Sequence, residues 1–116
     1  PVGVYFIQEL LKQNRNANIA VFGDEPWTPY NRLQLSSLIS GEIKEPSLYS
    51  QLDLNRVTNI TTFYNNRIDL IDRKHCHVVD SFGNSHHYNK LILATGSRPN
   101  IPSIQGNTLK NIFYFP

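Results

Sequence analysis

The run Ile19-Ala20-Val21-Phe22 restricts the fold of this chain more than any other stretch. Four consecutive apolar residues without a polar alternate suit a strand covered on both faces, as in a parallel sheet. Gly23, Asp24 and Glu25 stop the run. Ahead of it, Val4, Ile7 and Leu11 recur at helical spacing with Phe6 and Leu10 beside them, while Gln8, Glu9, Lys12 and Gln13 fall toward another face. Asn14, Arg15, Asn16 and Asn18 end that helix in a short turn. Pro1 suits its first turn, because a fixed helical φ and a missing N–H cost nothing there. What should lead into this turn is expected upstream of Pro1.

Pro26 and Pro29 predict an extended loop over "PWTPYNR", and "LQLSSLISG" reads as a short helix closed by Gly41. Residues 42–59 are mixed, with a helical turn suggested near Leu48 to Leu54 after Pro46. "ITTFY", "RIDLID", "HCHVVDS" and "SHHYNKLILAT" read as strands, with a hairpin turn around Gly83. This makes a three-stranded meander ending in an apolar strand, Leu91 to Ala94, which runs into the Gly-, Ser- and Pro-rich "TGSRPNIPSIQG". Helix, strand, helix, strand, meander, strand is the order of half a doubly wound α/β domain. In such a domain a central strand precedes the first helix. It would lie between the "IAVF" and "LILA" strands, and its absence is expected to leave two rows of backbone groups without partners.

Composition removes several function classes. Among 116 residues, 11 Lys and Arg stand against 9 Asp and Glu, for a net charge of +2. The basic residues are scattered, so nucleic acid is not suggested. No apolar run reaches the roughly 18–20 residues of a transmembrane helix, and no charged-then-apolar leader precedes the first helix, which favours a soluble cytoplasmic chain. The single cysteine, Cys76, excludes an internal disulfide framework. Read as part of a strand, it is expected to be a packing residue. His75 and His77 alternate on that strand, with His86 and His87 across the hairpin, but ordinary exposed histidines explain them better than a metal site. No Ser-His-Asp or Cys-His arrangement can be argued, and no catalytic residue is assigned.

The combination of "FGDEPWTPYNRLQLSSLISGE" with "LILATGSRPNIPSIQG" resembles the FAD domain of pyridine nucleotide-dependent flavoprotein reductases, the pyridine nucleotide-disulfide oxidoreductase superfamily. Within it, "EPxxPYNRxxLS" is most similar to the flavoprotein part of NAD(P)H nitrite reductase large subunits, with ferredoxin and rubredoxin reductases next. The resemblance implies a partial Rossmann-like FAD-binding domain over residues 1–116, lacking the first strand, the first two glycines of G-x-G-x-x-G and the NAD(P)H-binding domain. It makes Gly3 the third glycine of that motif, where the missing side chain lets helix and sheet approach. Asp24 and Glu25 match the acidic pair at the adenosine ribose. Arg32 matches the arginine that reaches FAD, Ile68 a residue whose backbone meets the adenine, and Ala94, Thr95 and Gly96 the "ATG" turn near the flavin nucleotide, with Arg98 just beyond.

The chain departs from neighbouring families in two places. Ferredoxin reductase relatives commonly carry a lysine where this chain has Ser37, and dithiol members carry a cysteine pair that residues 33–54 lack. The resemblance implies a nicotinamide cofactor that reduces FAD, which passes electrons to a further redox centre, both lying outside these residues. Such a part is expected to bind FAD below native affinity on its own, unless two chains swap strands as a homodimer. The alternatives are a noncatalytic interaction module derived from such a flavoprotein and an NAD-binding half. "ATGSRP" after a meander favours FAD by resemblance.

Overall fold

The computed structural model describes residues 2–49 and 53–114. Helix α1 spans Val2–Gln13 and buries Val4 and Ile7, with Leu11 partly covered. The predicted stripe therefore faces the core, although Phe6 and Tyr5 stay exposed. Pro1 lies outside the described residues.

Strand β1 (Ile19–Phe22) pairs in parallel with β2 (Ile60–Phe63), Ile19 opposite Ile60 and Phe22 opposite Phe63. Ile7, Leu54 and Ile60 form the core under this pair, with Leu11, Ile19, Val21 and Val57 packed against them. Asn59 fixes the start of the register, since its carbonyl accepts from Ile19 N (2.9 Å) and its side-chain amide donates to the Arg15 carbonyl (3.0 Å) and to that of Ala17. The link between the strands holds a 3-10 turn (Arg32–Gln34), the short helix α2 (Leu35–Ile39) and 3-10 turns at Glu45–Leu48 and Leu54–Arg56. Gly41 closes α2 at φ +81°, a conformation an L side chain rarely adopts. Of the helical turn expected over Leu48 to Leu54, residues 50–52 lie outside the described residues.

The meander forms a separate three-stranded antiparallel sheet of β3 (Ile68–Asp72), β4 (His77–Asp80) and β5 (Ser85–His87) in that order. Gly83, at φ +83°, turns β4 into β5 as expected. Two readings need correction here. Residues 73–76 form a turn, so His75 and Cys76 are not on a strand, and Cys76 is exposed at φ +53° instead of packed. The cause is Asp72, whose carboxylate accepts from the backbone N–H groups of Lys74 (2.9 Å) and His75 (3.0 Å) and so captures the backbone in a turn.

The other correction concerns Leu91 to Ala94. These residues join no sheet, and Ile92 and Leu93 are 52% and 66% exposed. Among the described residues β1 pairs only with β2, so no strand lies against the opposite edge of β1 to carry the ladder toward residues 91–94. An apolar run acquires a place in a sheet from a hydrogen-bonded neighbour, and without one it stays unladdered.

Candidate functional site

The C-terminal ends of β1 and β2 are where an open α/β sheet offers a ligand site, and here the backbone is tightly bound. Gly23 N donates to the Phe63 carbonyl, Asn66 N to the Gly23 carbonyl and Asn65 N to the Glu25 carbonyl, each at 2.9 Å. The turn after β2 therefore grips the turn after β1, and Asn65 adopts φ +51° to do so.

Glu25, held by this grip, forms an ion pair with Arg32. Burial pushes the Glu25 carboxyl up, but the Arg32 guanidinium and the Tyr30 hydroxyl outweigh it and hold the group below the usual carboxylate range. Hydrogen bonding to Glu25 raises Arg32 further, so both groups are charged at neutral pH. Arg32 opens a 3-10 turn whose cap is Asn31, with the Asn31 side chain accepting from Leu33 N at 3.2 Å. Asn31 N donates to the carbonyl of buried Leu48 at 2.7 Å, and Tyr30 forms an antiparallel bridge with Tyr49. The proline-bounded loop, expected to be extended, bends over residues 24–27 and is fixed on its far side.

The remaining candidates are distributed less tightly. Asp24 is exposed in the turn after β1, where its charge acts on Arg67. Ile68 opens β3, half-buried and paired with Asp80. The start of α1 approaches Ala94, since a Cβ on Gly3 would meet the Ala94 side chain at 3.5 Å. That is ordinary van der Waals contact. Thr95, Gly96 and Arg98 follow in exposed chain without regular structure, with Gly96 at φ +71°. The structure brings together Glu25 and Arg32, and separately Gly3 and Ala94.

Two features escaped the sequence reading. Asp80 has a carboxylate only 1% exposed that accepts from Asn84 N (2.8 Å), Phe82 N (3.0 Å), Asn66 Nδ2 (3.1 Å) and Asn84 Nδ2 (3.2 Å), with His86 Nε2 at 2.9 Å. Burial opposes its charge, yet His86, Asn66 and Asn84 together hold the group well below the usual carboxylate range. His86 also packs against Phe22 and Phe63, whose rings are stacked with centroids 4.5 Å apart. Asp80 therefore ties the meander to the strand ends, and through Asn66 to the Gly23 carbonyl. An Asp opening "DSFGN" was the available signal, since such a side chain commonly caps its own turn. The second feature is Tyr30, whose ring lies 5.3 Å from the Arg32 guanidinium carbon. Among the described residues no cluster of His, Cys, Asp and Glu could hold a metal ion.

Residues 1–115 match the family described as pyridine nucleotide-disulphide oxidoreductase, and the chain belongs to this family. It is 36% identical over 116 residues to the assimilatory nitrate reductase electron transfer subunit of Bacillus subtilis (strain 168), covering 97% of this chain and 15% of that protein. It is 34% identical to the nitrite reductase (NADH) large subunit of Escherichia coli (strain K12), covering 98% of this chain and 14% of that one. Its fold is similar to a chain in the crystal structure of the covalent putidaredoxin reductase–putidaredoxin complex, with TM-score 0.79 and 28% identity over 90% of this chain and 25% of the other. The chain thus spans a small part of the relatives it matches. FAD is the cofactor of this family. The residues present fit such a dinucleotide: a carboxylate to accept from sugar hydroxyls and a guanidinium to face phosphate stand side by side. Tyr64, against Gly23, also holds a buried hydroxyl with no partner among the described residues. No described helix is long and apolar enough to cross a membrane.

Proposed function

We propose that this chain forms part of the FAD-binding domain of a nitrite reductase-like NAD(P)H oxidoreductase. The observation that carries this reading is the convergence of Glu25 and Arg32 at the C-terminal end of β1 in a member of this family. Glu25 accepts from the vicinal hydroxyls of the adenosine ribose, with Asp24 beside it. Arg32 places its forked donors on the diphosphate. Ile68 presents backbone to the adenine, while Gly3, Ala94, Thr95, Gly96 and Arg98 border the rest of the dinucleotide. Bound FAD supplies the hydride and electron transfer, and the protein supplies position and electrostatics. The electron donor is a nicotinamide cofactor, and the acceptor is a further redox centre. Among the described residues the second edge of β1 is unpaired and offers backbone groups to a further β-strand.

Titration of FAD with the 116-residue chain, followed by flavin fluorescence, tests this reading. Saturable quenching near one FAD per chain is expected, weaker than in a domain with its central strand filled. Arg32→Ala is expected to weaken it about tenfold, the scale of a charge-assisted contact to phosphate. Absence of saturable quenching, or quenching indifferent to Arg32, overturns the assignment of the site.

A further inference from the structure

Three residues share the loop that faces the strand ends. Arg32 and Glu25 touch one another, the Arg32 guanidinium carbon stands 5.3 Å from the centre of the Tyr30 ring, and the Tyr30 backbone is bridged to Tyr49. Both charged side chains are about two-fifths exposed, 39% for Arg32 and 43% for Glu25. A pair so wet contributes little to stability. It is therefore easily opened by a ligand that offers each group a better partner. Tyr30 differs in that its anchorage does not depend on the pair, because the bridge to Tyr49 and the Asn31–Leu48 hydrogen bond hold this stretch of backbone against residues 48 and 49.

We infer that Tyr30 is a positioning residue of the nucleotide site, keeping Arg32 and Glu25 in place to exchange their mutual contact for the diphosphate and the ribose hydroxyls. This rests on the FAD reading above. The ring supports the cation through its π face, an attraction that persists whether the guanidinium faces Glu25 or phosphate. The hydroxyl acts on the Glu25 carboxylate, helping Arg32 to hold it below the usual carboxylate range. The carboxylate has lone pairs for a diol once Arg32 turns to phosphate. Without Tyr30, each long side chain would have to be ordered by the ligand itself, at a cost in rotamer entropy.

Substitution at Tyr30 separates the two contributions of the side chain. Tyr30→Phe keeps the ring and removes the hydroxyl, whereas Tyr30→Leu removes both. FAD titrations of the wild type and both variants are expected to show about threefold weakening for Phe and about tenfold for Leu. The melting temperatures should stay alike. Carboxyl carbon NMR adds a readout that a merely structural residue would not move. In Tyr30→Phe the Glu25 titration should rise toward the ordinary range while other carboxylates stay put.

Wild-type FAD binding that neither variant alters overturns the inference and leaves the FAD site standing. Equal weakening by Phe and Leu, accompanied by loss of thermal stability, also overturns it, since Tyr30 then serves only the fold. A variant too unstable to titrate is replaced by Tyr30→Phe NMR alone, and an unmoved Glu25 titration there counts against the inference. Failure of the wild type to bind FAD overturns the site reading and the inference together.

Discussion

The two sheets of this molecule are built on opposite terms. The meander closes upon itself: β3, β4 and β5 are joined by short turns, and each turn is captured by a side chain of the strand before it, Asp72 for the first and Asp80 for the second. The parallel pair has no such local closure. Its strands are brought together from residues 19 and 60, held by α1 and the Ile7–Leu54–Ile60 core, and among the described residues they leave one edge of β1, and residues 91–94, unladdered. Antiparallel pairing needs only a turn, whereas a parallel strand needs neighbours from elsewhere in the chain. The proposed cofactor site is thus set on the half that completes itself least.

Asp80 is where the two halves meet, and its replacement is expected to have the largest effect. Asp80→Ala strands two backbone N–H groups, the Asn66 and Asn84 amides and His86, in a place where water does not replace the lost acceptor. A drop in melting temperature of about 10 °C or more is expected for this loss. Because Asn66 N also donates to the Gly23 carbonyl, amide exchange should rise at Gly23 as well as within β4 and β5. Exchange confined to the meander would show that the two sheets are independent and break the coupling drawn here.

Ile7→Ala attacks the other half alone. Ile7 is 5% exposed in the core beneath β1 and β2, and truncation there is expected to cost about 2–4 kcal/mol. Denaturant titration measures this loss. Protection from amide exchange should then collapse in β1 and β2 while β3 to β5 keep theirs. Equal loss in both sheets would mean that the meander borrows its stability from the parallel half.

A smaller effect is expected at Gly83, which holds φ +83° with open space around its missing Cβ. Gly83→Ala meets no clash, so only backbone strain is paid, about 1 kcal/mol. A denaturant titration showing no change would mean that the hairpin relaxes into another turn.

Legibility in the sequence followed the same division. "IAVF" was readable as a strand because four apolar residues with no polar alternate have few other uses. "LILA" carries the same pattern, yet its strand state depends on a partner that no residue within the pattern specifies. "HCHVVDS" misled in its first two residues because alternation is only a side-chain rule, and the Asp72 carboxylate outcompeted it for the local backbone N–H groups. In the candidate site, Glu25 and Arg32 could be named by resemblance, but their mutual contact spans seven residues of proline-broken loop that periodicity cannot fold. Tyr30 went unassigned for a related reason: an aromatic beside a cation in sequence reveals nothing about stacking until the loop geometry is known.

The first meander turn supplies the mildest and most local test. Asp72 is held at about 2, against an ordinary 3.8, first by its hydrogen bond to the His75 ring and then by the His75 and Lys74 backbone N–H groups. The native state prefers the ionised form more strongly than the unfolded chain does. The resulting stability is fully present above about pH 4, and it is lost as pH falls through the folded value near 2. Melts between pH 6 and pH 2.5 should therefore show a decline that begins near pH 4, and Asp72→Asn should flatten part of it. Asp80, lowered further, keeps its share to lower pH, so the second turn should outlast the first. Carboxyl carbon shifts recorded through the same range distinguish the two. If Asp72 titrates near 3.8 and the decline persists in Asp72→Asn, the capture of residues 73–76 by that carboxylate contributes nothing, and the hydrogen bonds of the β3–β4 ladder alone must hold the meander's first turn.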